Sequence, residues 1–427
     1  MQPLYIQISN RKNMTNRRDF FKQASMTIAG GVVGGGMLSS CGGNSSSEVS
    51  NSVPSPFRKK INYGMYDIHV HASGSRGLQA FLEAGEKFID ETVQVSGVNL
   101  LVAKGVVPRN VSADVMALAL KTIDPRFTAY GGFGYWMNTM PCDGPGLRAQ
   151  LEELIDTGFN GLKMNEGKPN RRNVLHPLDD PRYDGVGELL QETGYHVVNH
   201  VNDPEEFWDP ATIPAWANTH GINNSGVGYL TDEYFPKELH YEENERWLAR
   251  YPKMNMSFAH AYFLSNFPDR LESLFERFPS VSIDLCPGVE MFDGFTKQRD
   301  RWIQFFNKYQ DRILFGTDNA VRPFDQVVGH DGSYYDRIAY MRRFLETDDK
   351  FEAWGYSLHG FALPEVVLNK IYSENALMKR GPIRAVVPSK ALKYANRLYA
   401  EVKDRTDVDD ISKQEIREVI TFFEKRL

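Results

Sequence analysis

The chain has 427 residues, 41% hydrophobic and 24% charged, an ordinary globular composition that suits one large barrel or two domains. A net charge of −6 and a pI near 6.0 leave no electrostatic footprint for nucleic acid or an anionic membrane. No apolar run is long enough to span a bilayer as a mature helix. Besides Cys41 only Cys142 and Cys286 occur, too few for a disulfide framework or a zinc cluster.

Near the N-terminus, Asn16-Arg17-Arg18-Asp19-Phe20-Phe21-Lys22 puts paired arginines ahead of aromatic residues and a lysine. A weakly apolar, Gly-rich stretch from Ala24 to Leu38 follows and ends in Leu38-Ser39-Ser40-Cys41. The pattern resembles a twin-arginine export signal closing on a bacterial lipobox, whose cysteine becomes the lipidated first residue. A disordered basic tail with a chance cysteine is the plainer alternative. Met14 stands just ahead of the pattern and is an alternative start to Met1. The expected organisation is a signal over 1–41, a Gly/Ser/Asn/Pro-rich tether over 42–60, a barrel domain over 61–387 and a helical extension over 388–427.

The first expected strand is Met65–His71, β-branched and aromatic between Gly64 and Gly74. Its alternation puts Asp67, His69 and His71 on one face. Helical periodicity follows over Leu78–Ser96. Further apolar runs are Val98–Val107, Phe127–Trp136, Asn160–Asn165, Tyr195–Asn199, Met254–Phe263, Val281–Leu285 and Arg312–Asp318. Helices fit between most of them, over Leu147–Thr157, Gly187–Thr193, Asp269–Phe278 and Lys297–Tyr309. This alternation predicts an α/β fold, a (β/α)8 TIM barrel, with a doubly wound sheet as runner-up. Residues 201–253 exceed an ordinary βα connection and suggest a β5–α5 insertion, a lid or subdomain rich in aromatics. Residues 388–427 read as charged amphipathic helix outside the barrel.

Ionisable residues recur at strand ends: His69 and His71 on the first strand, Lys163 on the fourth, His200 on the fifth, His260 on the sixth and Asp318 on the eighth. Barrel sites sit at those ends, so all six can share one mouth. Histidine and aspartate are zinc-type ligands, and three or four with one open position make a catalytic centre. Taken one at a time, each is equally a satisfied core histidine or a turn-capping aspartate. Lys104, Arg109 and Arg322 follow strand ends and are weaker candidates for holding an anionic substrate, as is Asp203.

Asp67-Ile68-His69-Val70-His71, Gly161-Leu162-Lys163, His200, His260 and Ile313-Leu314-Phe315-Gly316-Thr317-Asp318, with the later Ile371-…-Asn375-Ala376, resemble the amidohydrolase superfamily. The nearest branch is the amidohydrolase-related one of metal-dependent hydrolases and decarboxylases, over roughly 63–380. The resemblance implies that His69, His71 and His200 are metal ligands and that Asp318 is a ligand or the base. It places His260 beside the substrate or water. It implies one divalent metal, zinc before manganese, or two if Lys163 is carbamylated. The activity it implies is hydrolysis of an ester, lactone or amide, the alternatives being non-oxidative decarboxylation or a silent binding lipoprotein. Expected partners are a small-molecule substrate, no nucleic acid, and a membrane only through lipidated Cys41. A homo-oligomer is left open.

Overall fold

The computed structural model describes residues 64–427 apart from 73–76, 93–94, 103, 105–107, 109, 173, 214–228, 231–233, 288, 322–333 and 354. The expected signal over 1–41, the tether over 42–60, Arg109 and Arg322 therefore lie outside the described residues.

Strands and helices alternate in the expected order: β1 (Met65–Ala72), α1 (Leu78–Thr92), β2 (Val95–Leu101), α2 (Ala113–Ile123), β3 (Phe127–Gly131), α3 (Gly144–Thr157), β4 (Gly161–Gly167), α4 (Asp184–Thr193) and β5 (His196–Val201). Then come α5 (Lys237–Arg250), β6 (Met256–Phe258), α6 (Pro268–Arg277), β7 (Ser282–Asp284), α7 (Val289–Lys297), α8 (Arg299–Lys308), β8 (Ile313–Leu314), β9 (Asn319–Val321) and α9 (Tyr334–Glu346). Local chemistry sets the helix ends. In α3 the Asp143 carboxylate accepts from Gly146 N at 2.8 Å, Pro145 sits in the first turn, and Gly158 closes the helix at φ 104°.

The sheet runs β8-β7-β6-β5-β4-β3-β2-β1-β9, and its paired strands are parallel. Its two ends, β8 and β9, are successive pieces of one chain segment, so the sheet curls back on itself as a (β/α)8 barrel. The eighth strand is thus not the continuous Arg312–Asp318 the sequence suggests. It breaks over Phe315–Asp318, where Ile68 N donates to the Phe315 carbonyl at 3.1 Å and Asp318 N to the His69 carbonyl at 2.8 Å. Across the break, Val70 pairs with Asn319 and His71 with Ala320.

The chain divides into two compact units, and of the described residues those from 64 to 205 and from 234 to 427 form the barrel unit. Both ends of the expected 201–253 insertion, including α5, therefore belong to the barrel. The other unit takes, of the described residues, 206–213 and 229–230, where Tyr229 N donates to the Phe207 carbonyl at 2.8 Å and the Trp208 and Tyr229 rings lie 4.5 Å apart. The C-terminal extension is two helices, α10 (Pro388–Val402) and α11 (Asp410–Glu424). They do not stand apart as the sequence suggests: Tyr394, Leu398, Ile416 and Phe423 are buried in the main core. Glu415 and Glu418 of α11 accept from Gly77 N at 3.1 Å and Leu78 N at 2.7 Å, satisfying the open N–H groups at the start of α1.

Candidate active site

β1 carries Asp67, His69 and His71 on its inward face. Asp67 and His69 are buried, while His71 is 31% exposed, so the strand climbs from core to mouth. The broken eighth strand returns beside it. Gly316 belongs there because a Cβ at that position would lie 3.0 Å from His69 Cβ, tighter than side chains normally pack. Asp318 follows with φ 55°, a left-handed turn that aims its carboxylate back at β1.

His69 is the centre of the cluster. Its Nδ1 lies 2.8 Å from Asp284 Oδ2, and its Nε2 lies 3.3 Å from Lys163 Nζ and 3.5 Å from Asp318 Oδ1. His71 Nε2 is 3.1 Å from the same Asp318 oxygen, and the two imidazole rings are 5.2 Å apart. Burial, helped by the Lys163 charge, pushes the His69 imidazole down to about 4, so at neutral pH it is an uncharged donor of a lone pair. Burial works against ionising Asp318. The His71 hydrogen bond and the nearby imidazoles nonetheless hold its carboxyl well below the usual range. Ligand atoms of His69, His71 and Asp318 all lie within 4.8 Å of one another. Two imidazoles and a carboxylate converging at that spacing fit a divalent ion of the zinc type.

His200 is placed differently from the resemblance's ligand set. Its Nε2 faces Asp203 Oδ1 at 3.2 Å, and it is not among the atoms that converge with Asp318. Lys168 Nζ meets the same Asp203 oxygen at 3.1 Å. The His200 ring lies 4.9 Å from the His260 ring, which lies 5.6 Å from that of His69, so the three imidazoles form a chain across the mouth. Burial lowers both His200 and His260 from the ordinary imidazole value. His260 Nδ1 donates to the Cys286 carbonyl at 3.1 Å, because a carbonyl can only accept, and Nε2 is left as its available atom. Burial likewise lowers the Lys163 ammonium.

Lys104 does not belong to this mouth. Its ammonium pairs with buried Asp114 of α2 and donates to Tyr394 Oη of α10 at 2.6 Å, which makes it a tie between the barrel and the C-terminal extension. A strand-end lysine looks the same in sequence whichever way it turns. Asp284 belongs to no motif in the sequence, and Cys286 stands there only as one of too few cysteines for a zinc cluster. The available signal was a carboxylate in the apolar strand Val281–Leu285, which burial makes costly without partners.

The amidohydrolase family model matches residues 66–377. No curated protein matches the chain. Among solved structures, an uncharacterized TIM-barrel protein from Bordetella bronchiseptica is 14% identical, with a TM-score of 0.47 over 75% of this chain and 100% of that one. 4-Oxalomesaconate hydratase from Rhodopseudomonas palustris is 14% identical, with a TM-score of 0.43 over 79% and 99%. IDCase from Metarhizium anisopliae is 14% identical, with a TM-score of 0.43 over 75% and 97%. The barrel, the inward histidines of β1 and a family match over most of its length make this chain a member of the amidohydrolase family.

Proposed function

We propose that the chain is a metal-dependent hydrolase acting on the ester, lactone or amide carbonyl of a small, carboxylate-bearing substrate. The observation that carries the reading is the position of Asp318. Its carboxylate is hydrogen-bonded to His71, adjacent to His69 and still 32% exposed, so it is ionised and reachable from the mouth. His69, His71 and Asp318 would hold one divalent ion, zinc before manganese. Such an ion supplies Lewis acidity, acidifying water and polarising a carbonyl. Asp318 is the base that takes a proton and returns it to the leaving group. His260, with Nδ1 committed to the Cys286 carbonyl, offers Nε2 as an acceptor that orients a water or substrate hydroxyl. Lys163 and Lys168 are the cations suited to a substrate carboxylate; a carbamylated Lys163 would make the centre binuclear. The N-terminal pattern supports export by a twin-arginine route and anchoring at Cys41.

The test is metal content, followed by assay against a panel of carboxylate-bearing lactones, esters and amides. Activity should vanish with chelator and return with zinc or manganese. Full turnover in metal-stripped protein would remove the reading, and release of carbon dioxide without hydrolysis would replace it with decarboxylation.

A further inference from the structure

One buried carboxylate joins three strands of the site. Asp284, at the end of β7, is fully buried, as are Cys286 and all but the edge of His69. Its Oδ2 faces His69 Nδ1 of β1 at 2.8 Å. Its Oδ1 accepts from His260 N at 2.9 Å, from Cys286 N at 3.2 Å and from the Cys286 thiol at 2.6 Å. A proton at the 2.8 Å contact rests on the imidazole, the more basic of the two groups by their ordinary values, so the carboxylate is the acceptor.

We infer that Asp284 is a positioning residue that fixes the imidazole tautomer of His69, an inference that rests on reading His69 as a metal ligand. His69 Nδ1 meets Oδ2 at 2.8 Å and the Cys286 sulfur at 3.0 Å; the thiol hydrogen goes to Oδ1, so both neighbours are acceptors and that nitrogen must carry the proton. Nε2 then keeps its lone pair, on the side where Asp318 and His71 converge. Lys163 Nζ, a donor when charged, faces that nitrogen at 3.3 Å, as the same tautomer requires. Such an outer carboxylate both orients a ligating imidazole and raises its basicity. The same oxygen pair ties the backbone of His260, so one side chain places two of the mouth's imidazoles.

An asparagine at 284 reverses the pattern. Its single oxygen is claimed by the two backbone N–H groups, and its amide nitrogen faces His69 Nδ1, which must then accept. The ring proton moves to Nε2 and blocks the metal-facing lone pair.

The experiment reads the tautomer directly, by nitrogen-detected NMR of metal-free protein labelled at histidine, with His69→Gln assigning the signal. Wild type should show the proton on Nδ1 of His69. Asp284→Asn should show it on Nε2 and should bind zinc about 10–100-fold more weakly in competition with a chelator. Cys286→Ala, which removes the sulfur 3.0 Å from His69 Nδ1 and leaves Asp284 in place, should keep the wild-type tautomer; a switch to Nε2 there would give the role to the thiol and overturn the inference. A proton on Nε2 of His69 in wild type overturns the inference whatever Asp284→Asn does. So does Asp284→Asn with the Nδ1 tautomer and undiminished zinc affinity. If wild type carries the Nδ1 proton but binds no zinc, the tautomer assignment stands and the metal reading fails.

Discussion

Thr317 closes on Asp67 through two hydrogen bonds, its hydroxyl donating to Oδ2 at 2.5 Å and its backbone N–H to Oδ1 at 3.0 Å. The His69 N–H adds a third at 3.1 Å. Asp67 lies below the two imidazoles and locks the broken eighth strand to the first. Burial pushes its carboxyl up to about 7, so these donors are what make the buried group tolerable. Thr317→Val keeps the shape and leaves Oδ2 without a donor. It should cost about 1–3 kcal/mol in urea denaturation. An unchanged midpoint would mean that the lock contributes nothing.

Asp318→Asn separates catalysis from turn formation. Asparagine keeps the size and tolerates the left-handed backbone at φ 55°. It removes the charge and the basicity. On a confirmed substrate, kcat should drop at least about a hundredfold, and metal should bind more weakly. Near-normal turnover would leave Asp318 as a turn former only.

Lys163 tests the number of metals in the proposed centre. With an unmodified amine, Lys163→Ala should still bind one metal per chain, and wild-type activity should be indifferent to bicarbonate. Two metals in the wild type, one of them lost in the variant, would place a carbamate at Lys163.

His196 gives the acid response of the fold. It is buried between Tyr130 Oη at 2.9 Å and Ser257 Oγ at 2.8 Å, and burial pushes its imidazole down to about 3. Unfolded, it titrates at about 6.5. Between those values the unfolded chain holds the extra proton, so the stability His196 confers is intact above pH 6.5 and lost as pH falls. Asp67 runs in the opposite direction over much of the window, so the wild-type curve alone hides the effect. The stability gap between wild type and His196→Gln should narrow by about 2 kcal/mol from pH 6.5 to pH 5. A constant gap would place the imidazole in an environment no drier than water.

Export is tested in cells. Arg17→Lys with Arg18→Lys should strand precursor in the cytoplasm, and Cys41→Ala should give a soluble product without lipid. Equal export of the arginine variant would remove the twin-arginine route.

The barrel was legible because its signals are local: alternation in β1, periodicity in α3 and α6, and apolar runs at regular intervals. The contact between His71 and Asp318 was reachable because barrel closure brings the first and eighth strands together. What could not be read were features that depend on direction. Lys104 turns outward to Asp114, His200 turns to Asp203, and the eighth strand breaks to let Asp318 reach back. Asp284 escaped because its partners lie 215 and 24 positions away, at His69 and His260, and no local pattern connects them.

His260, Ala261, Tyr262 and Phe263 all have positive φ, between 49° and 60°, and none is glycine. A left-handed L-residue costs about 1–2 kcal/mol. This turn is therefore held by neighbours. Asp284 takes the His260 N–H, and Tyr241 of α5 donates to the Tyr262 carbonyl at 3.0 Å. Asn244 of the same helix donates to Tyr262 Oη at 2.7 Å. In evolutionary terms, the helix that ends the long 201–253 connection is mortgaged to the histidine it supports. A descendant free to rebuild that connection for a new substrate must keep Tyr241 and Asn244 or find another brace for the turn. Change in that connection is limited by two side chains that lie outside the cluster of His69, His71 and Asp318.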